Sequence, residues 1–98
     1  MGKTLIRIPE DLIDIAPGYL QNRIRDLDPL KDALARKDFD FVTKLAHKTK
    51  GTAGGYGFEE LSVIAKELEL AAKSQNFAGM QTTLDRMRNY LENVEIAN

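Results

Sequence analysis

His47 is the one histidine among 98 residues, and the residues spaced around it decide what it could do. On a helix, with about 100° per residue, Phe39, Val42, Ala46, Thr49 and Ala53 share one apolar direction. His47 then points roughly 140° away from the centre of that stripe, toward solvent. Asp40, Thr43 and Lys44 fall on its side one or two turns earlier, and Lys50, Gly51 and Gly54 one or two turns later. A free imidazole titrates near about pH 6.5, so an exposed ring is mostly neutral at neutral pH and keeps a lone pair that can attack phosphorus. The product would be negatively charged, and Lys50, one turn on, could offset that charge. Lys48 and Lys44 are secondary cations at the edges of the face. Gly51 removes a side chain next to the ring and leaves room for a partner to close on it in line. Each feature also has a plain reading: a solvated histidine, lysines kept for solubility, a glycine near a helix stop. Their joint spacing, rather than any one of them, points to phosphoryl transfer.

The helix that would carry these residues starts at Asp38, a capping residue type. It ends in the corner Gly54-Gly55-Tyr56-Gly57, because glycine disfavours helix interiors and accepts left-handed conformations. Before it, residues 3–8 partly alternate and suit a short extended arm. Pro9-Glu10-Asp11 suits the start of a short helix carrying Leu12, Ile13 and Ile15. Ala16, Leu20, Ile24, Leu27, Leu30 and Leu34 share a helical face over about 17–36. Pro29 interrupts that stretch and should kink or split it near Asp28. After the corner, Phe58, Leu61, Ala65, Leu68 and Ala72 stripe a helix over about 58–73. Ser74-Gln75-Asn76 forms a turn with Asn76 as cap, and Phe77, Met80, Leu84, Met87, Leu91 and Val94 stripe the last helix. Amphipathic helices joined by short turns predict an all-α, antiparallel up-down four-helix bundle with a short N-terminal arm and helix. It is expected to be one domain over 1–98, with too little strand signal for a sheet.

Composition narrows the function. Hydrophobic residues at 43% and charged residues at 30% fit a globular chain, and a net charge of -1 with no basic stripe argues against nucleic acid. Without cysteine, and with one histidine, the usual zinc sites and disulfides lack ligands. No apolar run is long enough to span a bilayer and no signal-peptide pattern opens the chain, which reads as cytoplasmic. Met1-Gly2 suggests a myristoylation start, but Ile6 stands where Ser or Thr belongs. Gly2-Lys3-Thr4 echoes the end of a P-loop without its upstream glycines, so no nucleotide binding or kinase activity is expected.

The run Ala46-His47-Lys48-Thr49-Lys50-Gly51, followed by Gly57-Phe58-Glu59-Glu60-Leu61 and Leu68-Glu69, resembles the histidine-containing phosphotransfer (HPt) domain of bacterial two-component phosphorelays. The lead-in from Ile8 to Arg23 is similar too. The resemblance implies a four-helix bundle in which His47 takes a phosphoryl group from a receiver-domain aspartate and passes it to another. By position it makes His47 the phosphoacceptor, Lys50 the stabilising cation and Gly51 the clearance residue. The implied partners are response-regulator receiver domains or a hybrid histidine kinase. The chain would act as a monomer with no cofactor of its own, the receiver supplying Mg²⁺. The docking surface is expected at the His47 face and the adjoining helix near Ser62, Lys66 and Glu69. Thr49 departs from the family's usual leucine, and its hydroxyl is expected to bond back to the Leu45 carbonyl. Tyr56 and Phe58 are expected to pack the end of the bundle, the alternative being that Tyr56 helps frame the docking surface. The alternatives are a module that docks receivers without relaying phosphate, and a phosphatase acting on a response regulator through His47 or Asp40. A di-metal bundle enzyme lacks its Glu-x-x-His pairs.

Overall fold

The computed structural model describes residues 3–98. Met1 and Gly2, with the myristoylation-like start and the first residue of the P-loop echo, lie outside them. The chain opens with strand β1 (Thr4–Ile6) and a 3-10 turn at Glu10–Leu12, then forms α1 (Ala16–Arg25), α2 (Leu27–Ala35) and α3 (Phe39–Ala53). A second 3-10 turn (Gly54–Tyr56) leads to α4 (Glu59–Lys73), α5 (Phe77–Asn93) and strand β2 (Val94–Ile96). α2 packs on α3, α3 on α4, α4 on α5, and α5 back on α1 and α2. With α1 and α2 counted as one interrupted helix, this is a ring of four helices.

Most of the predicted stripe residues form the core, but Phe77, expected to open the last stripe, is exposed, and Leu20, Ile24, Phe39 and Val94 are half-buried at the core's edge. Val42, Ala46, Thr49 and Ala53 of α3 are buried, as are Leu61, Ala65, Leu68 and Ala72 of α4 and Met80, Leu84, Met87 and Leu91 of α5. Phe58, Leu61, Ile64, Leu68, Met80 and Val42 are the largest side chains fully removed from water, each adding about 1.5–3 kcal/mol of burial free energy. The residues α3 turns toward its neighbours are mostly small, so α4 lies close along it, and this pair makes the most extensive helix contact.

Pro29 splits the first long helix. The break falls at Asp26, between α1 and α2, rather than at Asp28. A proline ring crowds the carbonyl four residues back, here that of Arg25, and offers it no N–H. The Asp26 amide turns to both Asn22 O (3.1 Å) and Arg23 O (3.2 Å), and Leu30 N resumes the ladder on Asp26 O at 3.0 Å. Asp38 caps α3 by accepting from Phe41 N at 3.1 Å, and Asn76 caps α5 by accepting from Gly79 N at 3.0 Å.

Two expectations need correcting. The segment after Pro9 forms a single 3-10 turn, not a short α-helix; Leu12 and Ile13 are half-buried while Ile15 is exposed. The extended arm is a strand with a partner: β1 pairs in parallel with β2, Thr4 opposite Val94 and Ile6 opposite Ile96. Three-residue strands are too short to show a sheet signal, and their pairing depends on bringing distant parts of the chain together.

Candidate functional site

His47 leaves α3 on the side away from the core, and its side chain is 67% exposed. The helical arithmetic placed it correctly. That arithmetic could not show what stands behind the ring. Glu69 follows Leu68 at the edge of the α4 stripe, where the close α3–α4 contact covers it, and its side chain is only 4% exposed. Its Oε2 lies 2.8 Å from His47 Nδ1 and its Oε1 2.8 Å from Lys50 Nζ. Lys73, one turn further along α4, brings Nζ to 3.3 Å from Oε2. Glu69 was expected on the docking surface; it is instead buried beneath the ring. The His47, Lys50 and Lys73 side chains converge on its two oxygens.

A buried carboxylate persists as an anion only when it is paired. The hydrogen bond from Lys50 is the largest influence on Glu69. Burial opposes it, bonds from His47 and Lys73 add to it, and the result lowers the carboxyl from 4.5 to about 2. An ionised carboxylate can only accept, so Nδ1 must be the protonated nitrogen of a neutral ring. That assignment follows from the hydrogen-bond network. It leaves Nε2 with the lone pair on a ring open to solvent. The same carboxylate holds Lys50 on the ring's side of the α3–α4 seam. The site therefore joins an oriented, exposed imidazole to two lysines through one buried carboxylate.

The other predicted residues fall as follows. A side chain at Gly51 would meet nothing within 4 Å, so the space beside His47 is open. Lys44 pairs with Asp40 at 3.0 Å, both well exposed, a contact of little energetic weight. Lys48 lines a groove of about 440 Å³ with Phe41 and Leu45, on a flank of α3. Ser62 donates its hydroxyl to the Lys50 carbonyl, tying α4 to α3 beside the site, and Lys66 is exposed. Thr49 is buried, and the back-bonding expected of it is made by Thr43, Thr52 and Thr83. Tyr56 and Phe58 pack the bundle end: Tyr56 stacks on Tyr19 at 4.3 Å between ring centroids, and Phe58 lies 5.9 Å from the same ring.

Sequence reasoning missed Lys73 and the role of Glu69. The available signal was the Glu69–Lys73 spacing, which is also that of any surface ion pair on a helix. Among the described residues no three His, Asp or Glu side chains gather to hold a metal ion, and no helix is long and apolar enough to cross a membrane.

A family model described as the Hpt domain matches residues 18–97. The similar-looking lead-in before Gly18 lies outside that match. Comparison with curated proteins and with solved structures gives no match. The family match takes in α3, α4 and the whole cluster of His47, Lys50, Glu69 and Lys73, and by it the chain belongs to the Hpt-domain family, the histidine phosphotransfer modules of two-component phosphorelays.

Proposed function

We propose that His47 is the phosphoacceptor of a relay. It takes a phosphoryl group from a phosphorylated aspartate of one receiver domain and returns it to the aspartate of another. The observation that carries this reading is the bond between His47 Nδ1 and the buried Glu69 on an otherwise exposed ring. The Nε2 lone pair forms the bond to phosphorus as the bond from phosphorus to the aspartyl oxygen breaks, and that electron pair leaves with the carboxylate. Nδ1 keeps its proton, so the ring becomes a cation, and its charge lies against Glu69. A cationic ring is a good leaving group, which keeps the transfer reversible. Lys50 offsets the phosphoryl charge, and Gly51 leaves space for the receiver's approach. In phosphoryl transfer most of the work is positioning and electrostatics. This chain supplies the nucleophile and its setting, while the receiver supplies Mg²⁺ and the acidic pocket. On this reading the protein acts as a monomer, uses no nucleotide and meets its partners through small, transient contacts.

The same reading includes helices running alternately up and down. In its support, Lys50 meets Ser62 while His47 meets Glu69, in opposite order along α3 and α4. Glu67 meets Arg86 while Glu60 lies near Tyr90, in opposite order along α4 and α5.

The test is phosphotransfer from a panel of phosphorylated receiver domains, followed by intact mass under non-acidic conditions. Wild type should gain acid-labile phosphate and His47→Gln should gain none. Binding without label would favour a docking module, and receiver dephosphorylation without label, even under rapid quenching, would favour a phosphatase.

A further inference from the structure

Glu69 carries a single negative charge, yet Lys50 meets its Oε1 and Lys73 its Oε2. One lysine would neutralise it. The two are placed differently. Lys50 sits one turn from His47 on α3, and Lys73 sits one turn from Glu69 on α4, with a side chain 59% exposed. A phosphoryl group on Nε2 adds about -1.5 to -2 of charge close to Lys50. That charge exceeds the carboxylate's, so Lys50 is drawn from Oε1 toward the phosphoryl oxygens. Were it the carboxylate's sole lysine, Glu69 would be left with the imidazolium as its one counter-charge, and no lysine would keep the carboxylate from taking the Nδ1 proton and leaving a neutral ring, a poorer leaving group.

We propose that Lys73 is a positioning residue of the relay: it stays on Glu69 when Lys50 moves to the phosphoryl group, so that the carboxylate keeps its hold on the Nδ1–H of phosphorylated His47. The inference rests on the relay reading above. Before phosphorylation Lys50 alone suffices and Lys73 is redundant; afterwards Lys73 is the one lysine left on Glu69 beside the cationic ring. No bond beyond those of the transfer itself is made or broken. The charged and titratable groups on Glu69 are His47 and Lys50 from α3 and Lys73 from α4, so the exchange is contained within these side chains.

The experiment compares full-length wild type, Lys73→Gln and Lys73→Arg. One readout is the ¹⁵N–¹H signal of the His47 Nδ1–H before and after phosphorylation by a receiver domain. The other is the rate of back-transfer to that receiver. All three proteins should show the Nδ1–H signal when unphosphorylated. After phosphorylation, Lys73→Gln should lose it, and back-transfer should slow by about threefold to tenfold, less than the roughly tenfold to hundredfold cost of removing a group that bonds directly to a working imidazole, because Lys73 acts through Glu69. Lys73→Arg should restore both. An unchanged signal and rate in phosphorylated Lys73→Gln would overturn the inference while leaving the relay intact. Loss of the signal in both states would overturn it too, since Lys73 would then merely build the site. A wild type that accepts no label from any receiver would overturn the relay reading and this inference with it.

Discussion

Glu69 has the most to lose from substitution, because three side chains converge on its two oxygens. Glu69→Ala should leave Nδ1 without an acceptor and Lys50 without an anchor. Phosphoryl transfer should fall by about tenfold to a hundredfold, by analogy with carboxylates that orient a metal-bound imidazole from behind; a rate within twofold of wild type would remove Glu69 from the mechanism. The pH dependence of stability has a definite sign. The folded carboxyl titrates at about 2 against an ordinary 4.5, so its stabilising contribution is complete above about pH 4.5 and fades as pH falls toward 2. Glu69→Ala should therefore be less stable than wild type at pH 7, and urea midpoints of the two should converge through that acid window. His47 was legible from sequence because its direction depends only on its own helix. Glu69 was not, since it reads as an ordinary surface acid until α4 is laid against α3 and the small residues there draw it under cover.

At the scale of elements, three turns share one construction. α2 ends with Asp38 N on Ala33 O and Lys37 N on Leu34 O, and α4 ends with Asn76 N on Ala71 O and Gln75 N on Ala72 O. The corner after α3 repeats the pattern, with Phe58 N on Ala53 O and Gly57 N on Gly54 O. Each places one residue in the left-handed region: Lys37 at φ 57°, Gln75 at 54° and Gly57 at 96°. Glycine adopts that conformation without the steric penalty of a side chain. Gln75→Gly should therefore raise stability by about 0.5–1 kcal/mol in urea denaturation, less than the full left-handed penalty because glycine also loses more entropy on folding. Gly57→Ala should do the reverse by about 1–2 kcal/mol or more. Its Cβ would also stand 2.9 Å from Ile8 Cδ1 and 3.3 Å from Pro9 Cδ. A neutral result at Gly57 would mean that the arm does not pack on this corner. The caps at Asp38 and Asn76 were legible because their side chains are the capping types. The left-handed positions at Lys37 and Gln75 were not, because lysine and glutamine carry no such signal and tertiary packing imposes the turn.

The molecule as a whole is held closed by the strand pair, and here local sequence reasoning reached its limit. A residue's neighbours along the chain cannot announce a partner 90 positions away. Ala97 N bonds Ile6 O at 2.7 Å beyond the last paired residues. The Asn98 side chain then grips both backbone groups of Ile8, accepting from its N–H at 3.0 Å and donating to its carbonyl at 2.7 Å. Ile8 is buried, and its side chain lies where a Cβ at Gly57 would stand. The clasp thus fixes the arm against the corner that ends α3, two to three turns beyond His47. Two partly buried bonds of this kind contribute about 1–2 kcal/mol together, a sizeable share of what a chain this small can hold in reserve. Asn98→Ala should lower the urea-derived stability by about that amount and speed amide exchange at Ile8. It should leave the rate of phosphoryl transfer at 25 °C unchanged, because His47, Lys50, Glu69 and Lys73 make their contacts within the α3–α4 pair alone. A transfer rate that falls with the stability would instead show that the corner transmits the arm's position along α3 to the imidazole.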